Sequence, residues 1–373
     1  MKAEGVAMRK IILLALAAAL LPVEICAAQV AGAAATEGGP RVENAQRETR
    51  AADAGLANAV RTVAQQAEKP TWIGYRVKRV EGEHSICCGN YNDGEVCGTC
   101  RLENEHGGVN INRNDSVKLE GSRELVVLLR AENHQVMRVR VASEDCTLDA
   151  GGARFVWLTG VKAEESVQML SGYVLSGNFA VHEPSGLADE AVMAIALHAD
   201  GAADRALAKF TEADQSEGLR KKTVFWLGEA RGAEGLARLR AMAKSDPSAE
   251  VRAQITFALS VSREPAALDE MIRMAREDQS GHVRGQALFW LAQKAGKKAV
   301  GAISAALEDD PETDVKKKAV FALSQLPKDE GVPKLIEVAQ SNRNSEVRKQ
   351  AMFWLGQSND PRALEFFEKI LTR

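Results

Sequence analysis

Apolar residues in the C-terminal half of the chain recur at a fixed interval. The triplets Phe225-Trp226-Leu227, Phe257-Ala258-Leu259, Phe289-Trp290-Leu291, Phe321-Ala322-Leu323 and Phe353-Trp354-Leu355 are spaced by 32 residues. Leu219, Val251, Val283, Val315 and Val347 stand eight residues, about two helical turns, ahead of the Leu of each triplet and share its apolar stripe. The residue after that Leu is small throughout (Gly228, Ser260, Ala292, Ser324, Gly356), as expected where a helix ends or two backbones approach. A turn follows, and then a second stripe spaced by three: Leu236, Leu239 and Met242 in one unit, Leu268, Met271 and Met274 in the next. Each unit therefore reads as helix, turn, helix. A unit this small cannot bury its own apolar face, so the units must stack into an α-solenoid. A weaker sixth unit precedes the five, because Met193-Ala194-Ile195 lies 32 residues before Phe225, with Leu187 and Leu207 in the matching columns. The array is expected from near Gly186 to Arg373.

Ahead of the array the period changes to two. Ile73, Tyr75 and Val77 alternate with polar residues, and Met137, Val139 and Val141 alternate with Arg138 and Arg140. With the short apolar runs Leu125–Leu129 and Phe155–Leu158, this predicts a small antiparallel β-rich domain within residues 71–181. A helix opening near Glu164 and burying Val167, Leu170 and Tyr173 is expected to join the sheet to the solenoid. Residues 29–70 read as an Ala-rich linker to about Arg41, followed by a solvent-exposed helix from Asn44 to Ala67.

Two further columns of the repeat carry polar or aromatic side chains. Asp214, Asp246, Asp278, Asp310 and Asn342 precede Arg220, Arg252, Arg284, Lys316 and Arg348 by six residues. These read as structural ladders, the carboxylate capping the helix that begins just after it while the basic side chain bridges units. Trp226, Trp290 and Trp354 alternate with Ala194, Ala258 and Ala322, a big-small order that predicts ring-over-methyl packing between neighbouring units.

The Asp-to-Arg spacing, the apolar columns and the two-helix unit resemble HEAT repeats, and the short period resembles the phycobilisome-lyase type of HEAT-like repeat found in bacteria. The resemblance covers about half the chain. It implies a mostly α fold, a right-handed α-solenoid of about six HEAT-like two-helix repeats, here behind a small β-rich cysteine-containing domain. That superfamily mixes scaffolds, chromophore lyases and an iron-dependent hydroxylase acting on deoxyhypusine. The hydroxylase places His-Glu pairs in successive repeats, whereas here His182-Glu183 lies just outside the array and His198 and His282 stand alone. One pair cannot build a di-iron site. No catalytic, cofactor-binding or metal-binding residue is assigned, and no cofactor is expected.

Composition sets the outer bounds. With 373 residues, 45% hydrophobic and 27% charged, the chain can form two folded domains. A net charge of -3, near balance within the repeats, leaves no broad electrostatic footprint for nucleic acid. The run Lys316-Lys317-Lys318 is answered by Glu308, Asp309, Asp310, Glu312 and Asp314. Motifs for phosphate cradling, a serine nucleophile elbow or a zinc-protease helix are absent from the sequence.

The first residues carry an export pattern. Lys2, Arg9 and Lys10 precede an apolar run from Ile11 to Leu21, too short to span a bilayer, and Cys26-Ala27-Ala28 supplies small residues for cleavage. Residues 1–28 are expected to be a signal peptide and the mature protein periplasmic or secreted, with no membrane-spanning segment after cleavage. Lipidation of Cys26 is disfavoured by Glu24 and Ile25, which stand where small residues are wanted.

The remaining cysteines, Cys87, Cys88, Cys97, Cys100 and Cys146, all precede the repeats. In an exported protein the first reading is disulfide stapling of the long loop from Ser85 to Arg101. A four-thiolate zinc site from Cys87, Cys88, Cys97 and Cys100 is the alternative, although the vicinal pair points its thiols awkwardly for one metal. The other alternative is dithiol exchange at Cys97-Gly98-Thr99-Cys100, which needs a strand-to-helix setting that these flanks do not supply. The functional expectation is a non-enzymatic scaffold for a protein partner. It would act along a concave wall lined by the second helices, where Ala237, Asp269, Gly301, Pro333 and Glu365 vary between units. A redox protein or an enzyme of the HEAT-like superfamily is the alternative.

Overall fold

The computed structural model describes residues 39–81, 85–87, 90–92, 96–97, 99–103, 109–110, 117–118, 123–177, 179 and 186–372, with backbone alone at 85–87, 90–92, 96–97, 109–110, 117–118 and 297. The expected signal peptide, Cys26, Cys88 and His182-Glu183 lie outside the described residues.

Five strands form the main sheet: β1 (Gln46–Ala51), β2 (Thr71–Lys78), β3 (Glu124–Glu132), β4 (Gln135–Ser143) and β5 (Arg154–Thr159). Their order is β4-β3-β2-β5-β1. The alternation of period two puts different residues on the two faces. Ile73, Tyr75, Val77, Leu125, Val127 and Leu129 bury against the helices α1 (Leu56–Gln65) and α2 (Ala163–Leu175), while Trp72, Val126, Leu128, Phe155 and Trp157 form a second core with Leu102 and Leu148. Both faces of the sheet are covered.

Two expectations are corrected here. The sheet is mixed rather than antiparallel, because β5 runs parallel to both β2 and β1. Residues 46–51, expected within an exposed helix, are the edge strand β1. Its sequence Gln-Arg-Glu-Thr-Arg-Ala shows no apolar alternation, and none of its residues is fully buried. Only 56–65 is helical, and it buries Leu56, Val60, Val63 and Ala64 instead of lying in solvent. The predicted joining helix is present as α2, burying Ser166, Val167, Leu170 and Val174.

The array is a run of antiparallel pairs: α3 (Leu187–Ala196) with α4 (Gly201–Phe210), α5 (Glu217–Ala230) with α6 (Gly232–Ser245), and α7 (Ala249–Val261) with α8 (Ala267–Glu277). Then follow α9 (Gly281–Ala295) with α10 (Val300–Asp309), α11 (Thr313–Ser324) with α12 (Lys328–Ser341), and α13 (Ser345–Gln357) with α14 (Pro361–Leu371). The chain is mostly α, a helical solenoid behind a strand-rich region. The two share one core, for apolar residues from Leu56 to Phe366 belong to a single buried cluster.

The junction is hydrogen-bonded as well as packed. Val80 N–H donates to Leu197 O at 2.9 Å and Ala199 N–H to Lys78 O at 3.0 Å, so the end of β2 pairs with the end of α3. Glu190 of α3 accepts from the Val139 N–H of the edge strand β4 at 2.8 Å and from the Arg138 guanidinium. A helix thus covers the strand edge that would otherwise expose unpaired amides.

The first helices of successive units (α5, α7, α9, α11, α13) pack directly on one another, whereas the second helices touch their counterparts only sparsely. The small column makes this possible: a Cβ on Gly228 would lie 2.2 Å from the carbonyl oxygen of Ala258 on the next first helix. A stack whose one row is closer than the other bends toward the closer row, so the inner wall is lined by the first helices. The second helices, expected to line the concave side, form the outer row.

This packing has a paired test. Gly228→Ala is expected to lose about 1–3 kcal/mol of stability in urea unfolding, since the methyl meets backbone. Gly356→Ala, on the equivalent position of the last first helix with nothing within 4 Å of the added methyl, is expected to gain a few tenths to about 1 kcal/mol from helix propensity. Equal effects at both sites would contradict the close approach.

Candidate functional site

The polar columns come together as rungs. Arg220 donates through Nε and Nη2 to Asp246 at 2.9 and 3.3 Å, Arg252 to Asp278 at 2.9 and 3.1 Å, and Arg284 to Asp310 at 2.7 and 3.0 Å. Each Arg reaches the turn ahead of it, and its remaining nitrogen reaches back: Nη1 of Arg252 and Arg284 donate to Asp246 O at 2.9 Å and Asp278 O at 2.8 Å. The same carboxylates accept from the N–H of Ser248, Ser280 and Glu312 at 2.9 Å, two residues on and just ahead of the next helix, so each closes the turn instead of capping the helix as expected. All three forks are buried. Planar two-point pairing with both lone-pair sets in use is the geometry in which a desolvated ion pair holds its place.

One rung differs at both ends. Lys316 replaces Arg and Asn342 replaces Asp, and the two do not pair: Lys316 Nζ donates to Glu308 O at 2.8 Å, and Asn342 Oδ1 accepts from the Asn344 N–H at 3.0 Å. A cavity of about 500 Å³ lies beside this rung, lined by Lys316, Lys334, Asn342 and Arg343 together with Glu308 and Glu337. Arg348 donates to the carbonyls of Asn342 at 2.7 Å and Arg343 at 3.2 Å.

The aromatic columns form a continuous chain of eight rings. It runs Trp226, Phe225, Phe257, Trp290, Phe289, Phe321, Trp354, Phe353, with successive centroids 5.0, 5.9, 4.7, 4.8, 5.9, 5.0 and 5.1 Å apart. Trp290 and Trp354 pack on the Phe of the preceding unit, beside the Ala that stands in the Trp column there. Where ring-over-methyl packing was the expectation, the contacts seen between units are ring on ring. The Phe column is half-buried along the array, and Phe353 is 54% exposed.

At the junction three buried side chains form one hydrogen-bonded line. His198 Nδ1 lies 2.7 Å from Ala194 O, His198 Nε2 lies 2.9 Å from Ser166 Oγ, and Ser166 Oγ lies 2.7 Å from the Tyr75 hydroxyl. A carbonyl only accepts, so Nδ1 carries the proton, Nε2 accepts from Ser166, and Tyr75 donates to Ser166. Burial pushes His198 down to about 4, with the Ala194 carbonyl opposing and Arg231 assisting. The line ties sheet, α2 and α3 together and is fully consumed by its own partners. Nothing in the columnar pattern announces it, because it is built once, at the junction.

Among the cysteines, Cys100 and Cys146 are buried in the second core. Cys100 is disulfide-bonded, whereas the side chains of Cys87, Cys88 and Cys97 lie outside those described. Cys146, one of the bridge candidates, stands instead as a thiol, which burial pushes up to about 12, with Asp145 adding to the effect. A thiol so placed stays protonated and is no nucleophile. Among the described residues no group of three or more His, Cys, Asp or Glu side chains is arranged to hold a metal.

The family model of HEAT repeats matches residues 205–292 and 300–373. No curated protein matches the chain at a significant level. Among solved structures the chain is similar to human deoxyhypusine hydroxylase in complex with glycerol, at 19% identity and a TM-score of 0.28 over 57% of this chain and 80% of that one. It is similar to the CpcE–CpcF complex of phycocyanin lyase from Nostoc sp. PCC7120, at 20% identity and a TM-score of 0.31 over 54% and 79%. The condensin Cnd3–Cnd2 subcomplex of S. pombe gives 18% identity and a TM-score of 0.34 over 53% of this chain and 28% of that one. The match to HEAT repeats covers those two stretches of the array.

Breaking a rung should be costly in a specific way. Asp278→Ala leaves Arg252 buried without its carboxylate and is expected to lose about 3–5 kcal/mol. Arg252→Lys combined with Asp278→Asn, which copies the carboxylate-free rung at Lys316 and Asn342, where the ammonium bonds a backbone carbonyl instead, is expected to lose only about 1–2 kcal/mol. A double variant as unstable as the single one would show that the cost comes from losing the rung and not from a stranded guanidinium.

The buried line predicts a pH effect whose sign follows from where the proton binds. The unfolded His198 takes a proton near 6.5, the folded one only near 4, so between those values the unfolded state holds more protons and stability falls as pH is lowered. The contribution is about 3 kcal/mol, present above pH 6.5 and lost by pH 4. His198→Gln is expected to flatten the stability profile over this window; an unchanged slope relative to the parent protein would contradict the assignment.

Proposed function

We propose that this protein is an exported, non-enzymatic scaffold that binds a protein partner through its HEAT-repeat surface. The observation that carries this reading is the inner wall of first helices. Its buried columns repeat with the period, while exposed positions change from unit to unit, as with Glu250, His282, Asp314 and Glu346 on one column. Varied side chains on a fixed frame are how a stacked array gains specificity. The outer positions Ala237, Asp269, Gly301, Pro333 and Glu365 vary as well and are exposed or nearly so, but they lie on the splayed row.

Export is supported by the basic and apolar leader before Ala28 and by the disulfide at Cys100, a bond that persists in oxidising compartments. Among the described residues no helix is long and apolar enough to cross a membrane.

The reading is tested by placing a photoreactive side chain at Gln293 on the inner wall and, separately, at Glu365 on the outer row, in cells that make the full chain. Expected are a mature mass starting after Ala28 or a few residues later, and a protein adduct at 293 that is absent at 365. Adducts at neither position would overturn the scaffold reading, and an unprocessed chain would overturn export.

A further inference from the structure

The helices α1 and α2 cover the same face of the sheet and leave a groove between them, a cavity of about 820 Å³. One stripe on each helix lines it: Val60, Arg61 and Ala64 on α1, and Met169, Gly172 and Tyr173 on α2. Hydrogen bonds bound both ends. At one, Glu165 Oε2 accepts from the Leu56 N–H at 3.0 Å; at the other, the turn between β3 and β4 docks on the end of α1, with His134 Nδ1 2.8 Å from Gln65 O. The α2 stripe runs about 16 Å from Glu165 to Ser176. Leu56, Val60 and Ala64 are buried, and Val136 and Met169 half-buried, so the floor is aliphatic.

Two polar groups on this lining are unanswered. Among the described residues Arg61, which is exposed, meets no carboxylate, and its guanidinium donates to Asn58 Oδ1 at 3.4 Å. The hydroxyl of half-buried Tyr173 has no hydrogen-bond partner among them. The two are close, for the charge of Arg61 opposes the upward shift that burial gives the Tyr173 hydroxyl, which stays a donor. Glu165, the one carboxylate on the lining, stands about 12 Å from Tyr173 along α2. It is answered by Lys162 Nζ at 3.5 Å. Gly172, beside Tyr173, is a glycine inside a helix, which is unfavourable relative to alanine. Neither crowding nor positive φ calls for it, since a methyl there would meet nothing within 4 Å. The missing side chain keeps the groove open.

We propose that this groove binds an alkyl carboxylate of the fatty-acid type, its carboxylate on Arg61 and Tyr173 and its chain along Val60, Ala64 and Met169. The inference goes beyond the scaffold reading and does not rest on it. Charge selects the head, because a carboxylate accepts from a guanidinium at two points and from a phenol at a third. Shape selects the tail. The floor is aliphatic and drawn out along two helices, and Tyr173 is the one aromatic ring on the lining, so an extended chain fits it better than a flat ring system. Size agrees as well, since small-molecule pockets run to about 300–1,000 Å³. A sugar would meet a cation that its hydroxyls do not call for and a floor that offers them no partner.

The test titrates the mature full-length protein with dodecanoate, kept below its micellar concentration, in a calorimeter. Saturable binding at a single site is expected. Arg61→Gln is expected to weaken it at least about tenfold, and Tyr173→Phe about threefold or more. Gly172→Leu, which fills the groove, is expected to abolish binding while the urea midpoint stays the same or rises. Dodecanol, with the same chain and no charge, is expected to bind at least about tenfold more weakly than dodecanoate. Decanoate is expected to bind about tenfold more weakly too, since each buried methylene contributes. Equal binding of dodecanol and dodecanoate, indifference to Arg61→Gln, or binding that persists in a folded Gly172→Leu variant would overturn the proposal. So would a failure to bind dodecanoate, whether or not the protein binds phosphatidylglycerol vesicles, a lipid surface being the occupant if it does.

Discussion

The step from one repeat to the next is fixed by the buried fork from Arg to Asp. A guanidinium holds its carboxylate in a plane, at two points, and so sets distance and angle together. Because Arg252 also reaches back to Asp246 O, each side chain clamps the turn behind it to the turn ahead. With both turns fixed, the first helices have little freedom in how far apart they lie. The residue facing the next backbone must then be small, and Gly228 is. The Phe on the outward side must in turn meet its counterpart one unit on, as the 5.9 Å stacking of Phe225 and Phe257 records. The inner wall is a consequence of the rung, carried outward through the helix.

The aromatic chain adds a second period on top of the first. Three of its eight rings are Trp, and they occur in alternate units, so the ring pattern repeats every two units while the rungs repeat every one. Where a unit has Ala in the Trp column, the next unit's Trp lies tilted against that unit's Phe, with 42° and 41° between the ring planes. Neighbouring steps are therefore similar in backbone and different in surface relief. Along an inner wall this gives paired ridges rather than a uniform corrugation.

How much of this was legible in the sequence depends on what each column buries. The array was plain because Leu227, Leu259 and Leu291 repeat a buried environment, and burial restricts the residue strongly. The rung was legible as a ladder because its spacing of six joins the turn ahead of a helix to that helix's first turn. The edge strand was not legible. Gln46–Ala51 has polar residues on both faces and pairs with Arg154–Thr159, far along the chain, so neither period nor neighbourhood identifies it. The direction of bending was missed for a related reason: variability marks exposed positions, and both walls are exposed. Closeness of approach decided it, and its sequence signal was the small column after each Leu, read without asking which row it brought together.

The junction extends the same logic to the strand-rich region. Its sheet is not tethered to the array by a linker but shares its core, and the hydrogen bonds from Val80 and Ala199 run the end of β2 into the end of α3. Tyr75, Ser166 and His198 lie at that seam with no exposure to solvent. A buried polar line holds its parts in one arrangement, because any other would leave donors and acceptors without partners. Glu190 closes the remaining edge by accepting from the backbone of β4. The first unit of the array is thereby capped on one side by folded protein rather than by a polar helix. An α-solenoid needs such a cap to keep its end from exposing apolar surface, and the strand-rich region supplies it while holding Cys100 and Cys146 on the face of the sheet turned away from the repeats.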